Sequence, residues 1–393
     1  MSTNVANLIG GPATISFGGA VLYFKDAIQL LETIQTFEIA TDRFGKIDER
    51  ELASTVEISG TPIGVWGNLD VLFPYGNARI GDLITPVRTF GTVTSGSDSV
   101  LITDHRLRDG MAVMLSTSAA DLPAPLDAAT LYYIHAIDDD NISFHLTRAA
   151  AIAGTGAVDI TDAGTGVHKL IMQEPLVIHA LSGFRRTYHN AAVIRMPQII
   201  ASATKTMLGE IGFRAFRKND TDATTANSLF TDDEAAFADD TSFDPQDILT
   251  VCHAAEWGNA PWDDFDTKEG WVIDATVELE DVETDCDGPL TARLGAVAVS
   301  AKAIPLGISE AQLSAAKTLQ GSGAGRGRSL SGADLDISGD GTFIRLYGAA
   351  LIGGPQQFGA KVDRAGAQEW RATRTFTSGL SNPLFFVGTT APA

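Results

Sequence analysis

Residues able to do chemistry are plentiful in this chain of 393 residues, but their spacing commits none of them to a reaction. Aspartates cluster at Asp138-Asp139-Asp140, at Asp263, Asp264 and Asp266, and at Asp334, Asp336 and Asp340. None of these clusters fits the calcium loop of about twelve residues, with its central Gly and terminal Glu, so each reads as turn or surface acid. The seven histidines are scattered and form no HExxH pair. His135 and His145 are expected to approach each other across a hairpin, yet two imidazoles without a third ligand do not make a zinc site. Cys252 and His253 are adjacent, so on a strand they point to opposite faces and cannot share a metal. The glycine run Gly321 to Gly327 has no strand before it and no Lys-Ser/Thr after it, which makes it a linker and not a phosphate cradle. A GxSxG elbow is absent; paired carboxylates for glycoside chemistry would meet in space and not along the chain, and no positive sign calls for them. The expectation is a non-enzymatic chain with no catalytic residue, no cofactor and no metal.

Composition points the same way. The length allows two or three domains of about 100–200 residues, and 44% hydrophobic content is enough for a real core. Recurrent Thr, Val and Ile in short alternating runs favour a β-rich chain. The formal charge is −21, which argues against binding DNA by neutralising its phosphates. That charge is concentrated: Asn219 to Asp287 holds 21 acidic residues and one basic residue, Lys268. Cys252 and Cys286 show no CxxC spacing and read as a reduced intracellular pair. No signal peptide and no apolar run long enough to span a membrane is evident.

The elements that would position these residues are mostly short strands. Ile15 and Phe17 alternate toward Gly18-Gly19, and Val21 to Phe24 continue beyond, which predicts a hairpin. Asp26 to Glu32 reads equally as a helical turn or the start of a strand. Thr41 to Tyr75, TDRFGKIDERELASTVEISGTPIGVWGNLDVLFPY, reads as a turn at Asp42, Arg43 and Gly45, a half-buried strand through Val56 and Ile58, a Gly-Thr-Pro-Ile-Gly loop, and an apolar run at Leu69, Val71, Leu72 and Phe73. From about 92 to 172 the texture changes to short strands joined by Asp, Gly and Pro turns, with LYYIHAI and ISFHL flanking Asp138 to Asn141 as a hairpin. Asn219 to Gln246 reads as a long acidic loop. In Trp271 to Glu280, Trp271, Ile273, Ala275, Val277 and Leu279 fall on one face and Asp274, Thr276, Glu278 and Glu280 on the other. Leu290 to Ile304 returns as its partner. Ser309 and Gln312 predict a capping box opening a short helix, ISEAQLSAAKTL. Gly321 to Gly332 follows as a linker, and about three further strands come after it, with Asp340-Gly341 as a hairpin turn.

The Thr41 to Tyr75 stretch resembles the tail tube proteins of long-tailed bacteriophages, in which a strand, a Pro- and Gly-bearing loop, a Trp and an apolar run ending near Pro-Tyr build half of a small β-sandwich or barrel. The pattern resumes at 175–213, PLVIHALSGFRRTYHNAAVIRMPQIIASATKTMLGEIGF, and again at 271–313. The resemblance covers roughly two-thirds of the chain as short cues. It implies a mainly β fold: a tail-tube-type β-sandwich or barrel with a short flanking helix and an inserted small β-rich domain. The implied organisation is 1–91 as the first half of the core, 92–172 as the insert, 173–320 as the second half, and 321–393 as a linker with C-terminal strands that complete the core or form an appendage.

The function so implied is structural. Copies would close into rings, hexameric by resemblance, and stack into a conduit for genome ejection in a virion tail assembled in the host bacterial cytoplasm. Partners would be other copies, the tape measure and other tail proteins. DNA would pass through without specific binding, and the chain would not enter a membrane. A channel lined by carboxylates lets DNA slide, because like charge refuses phosphate. Asp274, Glu278 and Glu280 are the lumen-facing candidates. The alternative is a virion module outside the tube, a baseplate or carbohydrate-binding tail component with the insert as its reader.

Overall fold

The computed structural model describes residues 13–392, apart from 64–68, 217–228, 238–253, 285–287, 316–331, 358–363 and breaks of one to three residues elsewhere. The protein is mainly β, with two short helices named among the described residues, Leu69–Leu72 and Arg148–Ile152. Cys252, Cys286 and His253, and all of the glycine linker but Gly332, lie outside the described residues, as do Asp340 and Gly341.

Three sheets enclose the main core. The first is five-stranded and runs Phe230–Glu234, Phe184–Tyr188, Leu176–Ala180, Ala13–Phe17, Ala20–Leu22. Its last two strands are the hairpin expected around Gly18 and Gly19, which sit at φ +53° and +78° as only glycine does without strain. A second sheet runs Asn190–Arg195, Ile211–Phe216, Gly45–Gly60, Gln29–Thr41. The ambiguity at Asp26 to Glu32 is thereby resolved toward a strand, beginning at Gln29.

The third and largest sheet is built on the ribbon Thr267–Thr284 and Gly288–Pro305. Ile199–Ser202 flanks the ribbon on one side and Gln368–Arg371 on the other, and Thr342–Gly353, Ala333–Gly339 and Ala254–Trp257 follow. The C-terminal strands therefore share a sheet with the ribbon. They also share its core: Trp257, Trp262, Trp271 and Trp370 are buried against one another and Phe265, with Trp271 and Trp370 ring centroids 5.3 Å apart. Trp257 Nε1 donates to the Ala349 carbonyl at 2.9 Å and Trp262 Nε1 to the Gln312 carbonyl at 2.8 Å, satisfying two of the indole donors in a dry interior.

Residues 87–172 form a separate seven-stranded sheet around their own core of Val100, Ile134, Ile142, Phe144, Ile160 and Leu170. Its first strand, Val87–Phe90, pairs with its last, His168–Met172, so the chain leaves and rejoins the main body at neighbouring points. Tyr132–Ala136 and Asn141–His145 pair as the hairpin expected from their patterning.

One open reading is settled and one expectation needs correction. The apolar run at Leu69 to Phe73 opens as a single helical turn, which puts Leu69 and Leu72 together in the core and leaves Asp70 on the outer side. The acidic stretch 219–246 is not loop throughout, because Phe230–Glu234 is an edge strand; its flanks, 219–228 and 238–246, lie outside the described residues. The capping box does form, with Ser309 N–H donating to Gln312 Oε1 at 2.8 Å and Gln312 N–H to Ser309 Oγ at 3.1 Å.

Candidate functional site

The strands Gln29–Thr41 and Gly45–Gly60 are 13 and 16 residues long, and among the described residues only Val56 to Gly60 of the second is paired on its far side, to Ile211 to Ala215. Beyond that pairing the described hairpin continues as a two-stranded arm. Its free part, Thr33 to Thr41 and back, reaches about 30 Å at about 3.3 Å per residue. Leu31 (62% exposed) stands in solvent at its base, and Ile34 (53%), Phe37 (55%), Phe44 (72%) and Ile47 (57%) stand in solvent along it. Ile34 and Phe37 lie on opposite faces by strand alternation, so the apolar groups are not one buried face partly uncovered. A two-stranded ribbon is marginal in water on its own. Here the polar cross-links are local, Lys46 Nζ to Glu49 Oε2 at 2.5 Å and Thr36 Oγ1 to Glu49 Oε1 at 2.5 Å. Lys46 holds the Glu49 carboxyl below its ordinary range.

The three acidic candidates on the ribbon prove unequal. The alternation is as expected at its start, with Trp271, Ile273 and Ala275 buried, and farther along Leu279 packs beside Phe216 and Ala292. Glu278 and Glu280 are exposed on the opposite face. Asp274 is half-buried, accepts from the Gln198 side chain, and lies 3.7 Å from Lys302 Nζ. Glu278 and Glu280 thus present their charge to solvent, whereas Asp274 spends part of its charge inside the subunit. Nearby, Arg214 bridges Glu57 at 2.9 Å and Asp281 at 2.8 Å, tying the second sheet to the ribbon.

The strand Phe230–Glu234 is held by charge. Arg185 pairs with Asp233 and Arg186 with Asp232 directly across the ladder, each through two nitrogen–oxygen contacts, and the Arg186 guanidinium lies 4.0 Å from the Phe230 ring centre. Sequence FTDDE is a poor strand former by propensity, and these bidentate pairs supply what its own side chains do not.

A second charge cluster joins the insert to the main body. Arg148, 9% exposed, donates to both carboxylate oxygens of Asp70 at 2.6 Å. Arg108 donates to Glu174 Oε1 at 2.5 Å, and Arg79 reaches Asp104 at 3.0 Å. Next to this cluster the insert's Tyr133 hydroxyl lies against Gly19, where a Cβ would stand 2.6 Å from it. No spacing in the sequence joins these partners, which are 25 to 78 positions apart. Beside them opens a cavity of about 450 Å³, between the insert, the segment after the Leu69–Leu72 helix and the C-terminal strand Phe385–Gly388.

Several of the residues singled out for chemistry make structural contacts. Asp138 Oδ1 accepts from the backbone N–H groups of Asp140 and Asn141 at 2.8 Å each, and these bonds hold its carboxyl below the usual range. The rings of His135 and His145 do meet, edge to face at 6.0 Å, with His135 Nδ1 3.0 Å from Asp109. His145 is fully buried, bonded to Thr155 O and Ser143 Oγ, and burial pushes its imidazole down. Among the described residues no group of three His, Cys, Asp or Glu side chains is arranged to hold a metal, and no helix is long and apolar enough to cross a membrane. No protein-family model matches the chain, and no curated protein matches its sequence.

Proposed function

We propose that this chain is a structural subunit of a tail tube of the long-tailed bacteriophage type, whose copies close into rings, hexameric by resemblance, and stack around a channel for DNA. The observation that carries the reading is the arm. Five large apolar side chains on the ribbon and at its base stay more than half exposed among the described residues, and identical copies supply the missing cover. Exposed Glu278 and Glu280 on the long ribbon suit a channel wall, since carboxylates repel phosphate. The tape measure and other tail proteins are the further partners on this reading. The acidic balance, the structural roles of the histidines and aspartates, and the resemblance of 41–75, 175–213 and 271–313 to tail tube proteins all support it.

The test is the size and shape of the purified full-length protein. Electron microscopy and sedimentation are expected to give rings or tubes that depend on concentration. The quadruple change Ile34→Ser, Phe37→Ser, Phe44→Ser and Ile47→Ser is expected to leave monomers with unchanged tryptophan fluorescence. A wild-type protein that stays monomeric or trimeric at high concentration would sink the tube reading. The insert's independent core would then favour a recognition module of the baseplate or fibre, possessing its own fold.

A further inference from the structure

We infer that the cavity at the junction of insert and main body is the socket that receives the tip of the arm of a second copy; this deepens the tube reading and rests on its premise that copies meet. The cavity, about 450 Å³, is walled by Phe73, Phe385, Leu107 and Met111. An opening of that size and lining takes apolar groups, and pockets of roughly 300–1,000 Å³ are the range in which ligand groups become enclosed. The arm tip offers them: Phe44 and Ile47 are its most apolar exposed side chains, and Arg43 covers one ring face of Phe44 at 5.3 Å. Apart from Arg43 the tip is open among the described residues: a Cβ added at Gly45 would meet no atom within 4 Å.

Charge fits the same pairing. Arg88 lines the cavity and has no carboxylate partner among the described residues, while Asp42, beside Phe44, is exposed with no cationic partner among them. Seating the tip brings these opposite charges together in a partly enclosed site, where their attraction is stronger than in open water. Tip and socket are different patches of one surface, so the contact is head-to-tail. Such a contact propagates into a ring or a stack unless two copies exchange tips reciprocally and close as a pair.

The experiment uses the full chain with the photoreactive phenylalanine analogue p-benzoylphenylalanine at position 44. Isotope-labelled and unlabelled copies are mixed and irradiated, and cross-linked peptides are mapped by mass spectrometry alongside micrographs of the same sample. Cross-links between copies are expected into 73–78 and 107–111. Asn77→Trp, an exposed rim position, is expected to lower their yield at least tenfold, and Asp42→Lys to lower it similarly unless combined with Arg88→Glu. Rings or tubes whose cross-links fall elsewhere would overturn the socket and leave the tube reading standing. Cavity cross-links without rings or tubes would keep the socket and remove the tube. Absence of both would remove both.

Discussion

Arg148 shows how much of this molecule depends on single side chains that no local pattern announces. Its guanidinium is almost wholly buried and grips both oxygens of Asp70, and a buried pair broken on one side leaves an uncompensated charge costing about 3–5 kcal/mol. Asp70 keeps some solvent and a second, longer contact to Arg108 at 3.5 Å, which reduces that figure. Arg148→Ala is therefore expected to lower unfolding stability by roughly 2 kcal/mol, read as a shift of the denaturant midpoint. Adding Asp70→Asn should recover most of the loss, because the orphaned charge goes with it. An Arg148→Ala protein as stable as wild type would show that water already screens the pair. The sequence offers Asp70, Arg108, Arg148 and Glu174 as ordinary surface charges; their meeting is a product of tertiary folding, as is the distinction between Asp274 and its exposed neighbours Glu278 and Glu280. By contrast the turn role of Asp138 was legible, because its partners are two and three residues away.

At the scale of elements, legibility follows how local the cause is. The ribbon at 271–280, the Gly18-Gly19 hairpin and the pair 132–136 with 141–145 are set by alternation and turn chemistry, and all are where patterning puts them. The Leu69–Leu72 turn is too short for its period to show, and its helical sense comes from packing. Phe230–Glu234 is opaque for another reason: its acids disfavour a strand until Arg185 and Arg186, more than 40 residues earlier, stand opposite. That dependence is testable. Arg185→Gln with Arg186→Gln should release the strand, raising amide exchange at 230–234 by at least tenfold while the Trp-lined core stays protected. Acid should do the same to the wild type. Arg185 depresses the Asp233 carboxyl, so its contribution is complete above the ordinary carboxylate value of about 4 and is lost as pH falls through the lower, folded value. Exchange at 230–234 that is indifferent both to the double change and to pH between 5 and 2.5 would mean the backbone ladder alone holds this edge.

On the proposed tube reading the assembly sets the largest scale, and there exposed Glu278 and Glu280 and the insert make separate demands. Glu278→Lys with Glu280→Lys changes only exposed side chains, so the subunit should fold and assemble. If these residues line a channel, the assembled tubes should retain DNA in low salt and release it as salt rises, since each added lysine exchanges a counterion on binding phosphate. Tubes that pass DNA unchanged at low salt would place that face on the outside. Asp274 is left out of the pair because reversing it would set a lysine against Lys302 and test stability instead.

The insert is a domain by its separate core, and its first and last strands are neighbours, so a short Gly/Ser loop can replace it from Val87 to Met172. A free decoration would come away without cost. This one carries Arg108 and Arg148, and removing it strands Glu174, which is nearly buried, and Asp70, and uncovers Gly19 where Tyr133 sits. Simple excision is expected to give a main body that folds poorly, with a melting point lowered by ten degrees or more, given about 4–8 °C per kcal/mol for a small domain and less for a larger one. Excision combined with Asp70→Asn and Glu174→Gln should recover most of that loss, because neutral side chains at a newly wetted surface carry no desolvated charge. If excision alone leaves the melting point and assembly unchanged, the charge cluster does not anchor the insert. If the combined variant still fails to fold, the insert belongs to the core of the subunit and is not an addition to it.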